Sequence, residues 1–117
     1  MSTVVVKSVD LRALRRAVDA WAEQLLEQHE EIEEVVVFGS FEAGNWSPGS
    51  DLDVFLVLSH ADRPVRERAV AYLPGAFPVG LDIFPFTRAE IAERSGSPLL
   101  AAVARSRWRY ARQPRRR

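Results

Sequence analysis

The stretch Ser50-Asp51-Leu52-Asp53-Val54-Phe55-Leu56-Val57-Leu58 is an apolar run opened by two acids. Its length and its bulky apolar residues predict a buried strand over Leu52 to Leu58. Aspartate is depleted in strands, so two of them here need a reason. Strand side chains alternate, which puts Asp51 and Asp53 on the same face, about 7 Å apart along the backbone. Like charges held that close call for a cation between them.

Working outward, Val35-Val36-Val37-Phe38 reads as a first strand stopped by Gly39. Ser40 to Ala43 then suggests a helical turn, and Gly44 to Ser50 is dense in turn residues. On the other side, Pro78 to Phe84 predicts a third strand that Pro85 ends, and it carries Asp82 alone among apolar residues. If this strand lies beside the second, Asp82 completes a cluster of three carboxylates. Oxygen donors without sulfur or imidazole suit a hard ion, and Mg²⁺ leaves room for water and substrate phosphates. Gly39-Ser40, where a strand gives way to a helical turn, supplies backbone N–H groups and a hydroxyl suited to a phosphate.

The remaining pattern is mostly helical. Asp10 is the expected N-cap of a helix from Leu11 to His29, with Leu11, Leu14, Val18, Trp21 and Leu25 at helical spacing. A second helix is predicted from Asp62 to Leu73, with Val65, Ala69, Val70 and Leu73 on one side. Thr87 followed three residues later by Glu90 is a helix-start signature, and Ser97 to Arg107 reads as another helix. A short apolar start, Val4 to Val6, precedes all of this. The order implies an α/β (α+β) fold: a small mixed sheet with helices packed mainly on one face. A single domain is expected over residues 1–104, with residues 105–117, which hold seven Arg, as a flexible tail.

Composition narrows the chemistry further. The 117 residues contain no cysteine and only two histidines, which excludes disulfides, thiolate zinc sites and cysteine nucleophiles. No apolar stretch approaches the length of a membrane span, so no membrane association and a cytoplasmic location are expected. The 16 basic and 16 acidic residues cancel overall, yet residues 1–60 hold 4 basic against 11 acidic side chains, and the rest reverses the balance. Two halves of opposite charge face different partners or each other. Zero net charge lacks the basic bias of a nucleic-acid-binding domain, so nucleic acid is not the expected partner of the Arg-rich tail.

Gly39-Ser40, ten residues, then Asp51-Leu52-Asp53 with Ser50 just before and Asp82 on a later strand, resembles the minimal nucleotidyltransferase domain of the DNA polymerase beta superfamily. The resemblance implies the polymerase-beta-like nucleotidyltransferase fold. It also implies transfer of a nucleoside monophosphate from ATP or another nucleoside triphosphate to an acceptor hydroxyl, with two Mg²⁺ ions. Asp51, Asp53 and Asp82 would be the catalytic metal-binding acids. Gly39 and Ser40 would hold the triphosphate, with Ser50 also on the nucleotide side. Such small domains resemble antitoxins whose partner is a HEPN-domain toxin, which would place the acceptor hydroxyl on a protein.

Two features cut the other way. Relatives often carry a basic residue where this chain has Ala43, and Glu42 adds negative charge beside the presumed phosphates. A non-catalytic module that neutralises a partner by contact alone is therefore the alternative, with transfer to a small molecule ranked last. Trp46 is either a base-stacking or a loop-anchoring residue, Trp21 is expected in the core, and His29 and His60 are expected at the surface without a catalytic role.

Overall fold

The computed structural model describes residues 9–112 of the chain; the Val4–Val6 start lies outside them. Helix α1 (Leu11–Gln28) leads into strand β1 (Ile32–Phe38) and the single-turn helix α2 (Ser40–Ala43). Strand β2 (Leu52–Leu58) follows, then α3 (Val65–Arg68) continued by a 3-10 turn (Ala69–Tyr72). Strand β3 (Leu81–Thr87), helices α4 (Arg88–Glu93) and α5 (Pro98–Arg105), and strand β4 (Trp108–Ala111) complete it. The sheet order is β3-β2-β1-β4. β1 runs antiparallel to β2 and β4, and β2 runs parallel to β3, so the sheet is mixed as expected.

Alternation along the strands divides two cores. Leu14, Val18, Trp21 and Leu25 of α1 pack on the face that carries Val35, Val37, Val54 and Leu56. Asp10 caps this helix as expected, its carboxylate accepting from the N–H groups of Arg12 and Ala13. Trp21 is in the core and donates its indole N–H to the Tyr72 carbonyl at 3.1 Å. On the other face Val36, Phe38, Phe55, Val57 and Phe86 meet Val103 of α5, with Ile91 of α4 alongside. Only short helices cover that second face, and the end where β2 begins carries the exposed Asp51 and Asp82.

Four expectations change. β1 starts at Ile32, three residues early, because the charges of Glu33 and Glu34 are met by Arg88 and Arg109. The tail expected to be flexible instead supplies β4, in which Trp108 pairs with Val37 and Tyr110 with Val35. Residues 113–117 lie outside the described residues.

The third strand starts at Leu81 instead of Pro78, and Pro85 does not end it but sits inside it, fully buried, because β3 is an edge strand that can spare an N–H on its open side. The Asp62–Leu73 helix is one α turn followed by a 3-10 turn, and its buried side differs from the predicted one. Val70 is 76% and Leu73 53% exposed, while Tyr72 and Arg68 are buried at 6% and 7%. The change of helical period moves the inward positions.

Arg68 is buried because every N–H it turns inward finds an acceptor. Its Nε donates to the Arg63 carbonyl, and one terminal nitrogen to the Pro85 carbonyl at 3.0 Å. The two terminal nitrogens grip the Glu90 carboxylate at 2.7 and 2.8 Å. Glu90 also accepts from the Thr87 N–H while Thr87 Oγ1 accepts from Glu90 N, the capping box read from the sequence. Arg68 therefore ties the crossover to the end of β3 and the start of α4.

The Arg68 guanidinium, donating to it, lowers the Glu90 carboxyl from 4.5 to about 2. A depressed folded value means the stabilisation is present above pH 4.5 and is lost as pH falls toward 2. Urea unfolding should show the wild type losing about 2 to 3 kcal/mol more than Glu90→Gln across that interval. Equal losses would show that the pair does not hold the fold.

Candidate nucleotidyl-transfer site

β2 and β3 run side by side in parallel with Asp53 opposite Asp82. Paired residues in a parallel ladder share a face, and Asp51 lies two residues before Asp53, so the three acids belong to one sheet face at one end. That is the face of Phe38, Phe55 and Phe86, at the end its helices leave open. Asp51 and Asp82 are exposed and Asp53 is half-buried. Burial first, then the negative charges of Asp82 and Asp51, push the Asp53 carboxyl up from its ordinary value. The repulsion inferred from spacing is thus present in the fold.

Gly39-Ser40 arrives at the same place from β1. Phe38 pairs with Asp53 across the antiparallel ladder, so the turn after β1 stands beside the acids. Contact is direct: a Cβ built on Gly39 would lie 2.2 Å from Asp53 Oδ2 and 3.1 Å from its Cγ. Gly39 also has φ 82° and ψ −152°, a conformation open essentially to glycine alone. Two independent constraints therefore fix glycine here, one of backbone and one of space. The first N–H groups of α2 have no partner within the helix, which leaves them available to an anion.

The other residues singled out fall as follows. Ser50 Oγ accepts from the Ser47 N–H at 2.9 Å, so its hydroxyl closes the loop that delivers Asp51. Trp46 stacks on Phe41 with ring centroids 5.5 Å apart, the loop-anchoring alternative in this structure. His29 and His60 flank the opposite end of the sheet, where Ile32 pairs with Leu58, and neither meets the acids. Glu42 accepts from the Arg107 N–H just before β4. Since β4 and β2 flank β1 on opposite sides, this contact draws its charge away from the acids.

Among the described residues no three His, Cys, Asp or Glu side chains converge as a finished metal cage. The three carboxylates share one sheet end without closing on a single point. As a donor set they are all oxygen, which suits hard divalent cations over soft ones.

The sequence profile of the nucleotidyltransferase domain matches residues 18–92, which span β1, α2, β2, β3 and most of α1. The chain belongs to the nucleotidyltransferase domain family. A protein from Sulfolobus solfataricus described as a nucleotidyltransferase has a similar crystal structure, with a TM-score of 0.56 and 17% identity. The likeness covers 86% of this chain and 80% of that one, and at such identity it speaks for the fold. No curated protein sequence matches the chain. Within this nucleotidyltransferase domain the matched span contains Gly39, Ser40, Asp51, Asp53 and Asp82. No helix of the described residues is long and apolar enough to cross a membrane.

Gly39→Ala should destabilise the nucleotidyltransferase domain by about 1 to 3 kcal/mol in urea unfolding, from its positive φ alone. Asp53→Asn should act in the opposite direction when metal is chelated. A raised folded pKa means that stability present at low pH is lost as pH rises through it. The variant should therefore melt above the wild type at pH 7, with the gap closing toward pH 4. A lower melting temperature at pH 7 would make Asp53 a structural residue.

Proposed function

We propose that the chain is a magnesium-dependent nucleotidyltransferase that moves a nucleoside monophosphate, AMP from ATP, onto an acceptor hydroxyl, the new bond to the α-phosphorus replacing its bond to the departing pyrophosphate. The observation that carries this reading is the register of Asp53 against Asp82 with the Asp53 carboxylate lying on Gly39. It sets acids suited to cations directly beside a turn suited to phosphate. On this reading Asp51 and Asp53 would hold two Mg²⁺ ions, with Asp82 sharing in holding one of them. When bound, such ions neutralise charge on both the attacking and the leaving oxygen of an in-line displacement.

The chain's own residues bind and orient. Gly39, by lacking a side chain, seats the Asp53 carboxylate and makes the turn into α2, and Ser40 and the first N–H groups of α2 donate to the triphosphate. Ser50 holds the loop that presents Asp51. Asp82, exposed at the sheet end, is placed to accept a hydrogen bond from the incoming hydroxyl and to draw its proton away. Little further chemistry is required of the protein in phosphoryl-type transfer beyond position and charge.

For the acceptor we propose a hydroxyl on a partner protein of the HEPN-toxin type, which makes this chain an antitoxin. The motif resemblance supports this assignment, as does the exposure of Asp51 and Asp82, which a protein-sized acceptor can reach. The contact-only alternative draws its support from Ala43, where no cation meets the phosphates.

Calorimetric titration with a non-hydrolysable ATP analogue separates the two. Binding should require Mg²⁺ in the wild type and weaken at least about 10-fold in Asp51→Asn. Labelled AMP transfer to the partner should fall at least about 100-fold in Asp82→Asn, the upper end for loss of a group that merely supports a metal ligand. No Mg²⁺-dependent binding in the wild type, with or without partner, would overturn the transferase reading in favour of contact alone.

A further inference from the structure

Gly80, just before β3, has no place in the motif and no conformational need to be glycine. Its φ is not positive, unlike those of Gly39, Gly44, Gly49 and Gly96, so its backbone would accept alanine. What reserves the position is a neighbour. A Cβ on Gly80 would lie 2.2 Å from Asp51 Oδ1 and 3.2 Å from its Cγ. The Asp51 carboxylate occupies the volume in which any other residue would carry its side chain.

Gly80 cannot move aside to make room, because its carbonyl accepts from the Leu52 N–H at 2.9 Å at the start of the parallel ladder. Asp51, exposed and held through rotatable bonds, is the partner that would yield. A methyl at Gly80 would thus leave the fold in place and turn one carboxylate. Gly75, which also lacks a positive φ, has nothing within 4 Å of its added Cβ, so the contact at Gly80 is specific to that site.

We infer that Gly80 is a positioning residue, whose missing side chain forms the seat that orients the Asp51 carboxylate toward the ion site. The inference rests on the reading of Asp51 as an ion-holding group, and it deepens that reading by adding a residue from the crossover. Together with Gly39 under Asp53, it gives two of the three acids a glycine seat. The two seats differ in kind: Gly39 is also required by its backbone, Gly80 by the carboxylate alone.

The test uses the full chain, with Mn²⁺ as the probe. Side-chain couplings of Asp51, measured by NMR without metal, should report one staggered rotamer in the wild type and a different or averaged one in Gly80→Ala. Mn²⁺ affinity, read by electron paramagnetic resonance, should fall about 10-fold or more in Gly80→Ala, within the 10–100-fold range for groups supporting a metal ligand. The melting temperature with metal chelated should not move. In an Asp51→Ala background the same substitution should change Mn²⁺ affinity no further.

Unchanged Asp51 couplings, or an equal loss of affinity with and without Asp51, would overturn the inference. If the wild type takes up no Mn²⁺ while the couplings respond as expected, the seat stands and the metal-site reading fails.

Discussion

The parallel pairing of β2 with β3 is the constraint on which the rest depends. A slip of one residue would turn Asp82 to the α1 face and bring Leu81 or Ile83 opposite Asp53, since each step along a strand reverses the side. The register is secured at both ends. At the opening end the Leu52 N–H is bound by the Gly80 carbonyl. At the far end the Pro85 carbonyl turns outward to Arg68, which in turn grips Glu90 of α4. Between them Val54, Leu56 and Leu58 stay on the α1 side and Phe55 stacks on Phe86 on the other. A misregistered ladder would lose the apolar packing and the Arg68 pair together.

The charge division of the chain follows from the same sheet. Acids of β1 meet bases of the second half across it: Glu33 pairs with Arg88 and Glu34 with Arg109. Arg112 adds donors to the carbonyls of His29 and Ile32. Ion pairs this open contribute little each. Their effect is to let a strand bearing two consecutive glutamates sit at the centre of a sheet. The alternatives left by the sequence, separate partners or mutual contact, are thereby met at least in part by mutual contact.

What was legible in the sequence was whatever a single period or spacing encodes. The helical spacing of Leu14, Val18, Trp21 and Leu25, the apolar run of β2 and the Thr87–Glu90 box each carry their own signal. Gly39, Ser40 and the Asp51–Asp53 pair were legible as a candidate site because their spacing is short, and Asp82 because an acid interrupts an apolar strand; the fold brings them to one sheet end. What stayed hidden depends on partners distant in sequence. Trp108 and Tyr110 lie in an arginine run, and only pairing with Val37 and Val35 makes them a strand. Arg68 looks like part of a solvated face until Pro85, Arg63 and Glu90 surround it. Gly80 reads as one more residue of the predicted third strand, because its reason is a carboxylate far away in sequence, that of Asp51, brought near by the fold.

On the proposed reading, the turn that faces the phosphates lacks a cation in its own segment. Ala43 contributes no charge, and the Glu42 carboxylate accepts from Arg107 on the β4 side of β1. The segment Ser40–Ala43 is therefore close to neutral toward the acids, with its free N–H groups as the remaining positive features. Partial charges of that kind fall off within one turn, whereas three full carboxylate charges share this one sheet end. Without compensation, the field at the sheet end is set by the acids and repels an anionic substrate. On the proposed reading, attraction of a triphosphate must then come with the cations that the acids hold. The placement of Asp51 and Asp53 thereby governs both how the ions sit and whether the nucleotide can approach, which is why glycine seats beneath those two carboxylates matter more here than in a turn with its own arginine.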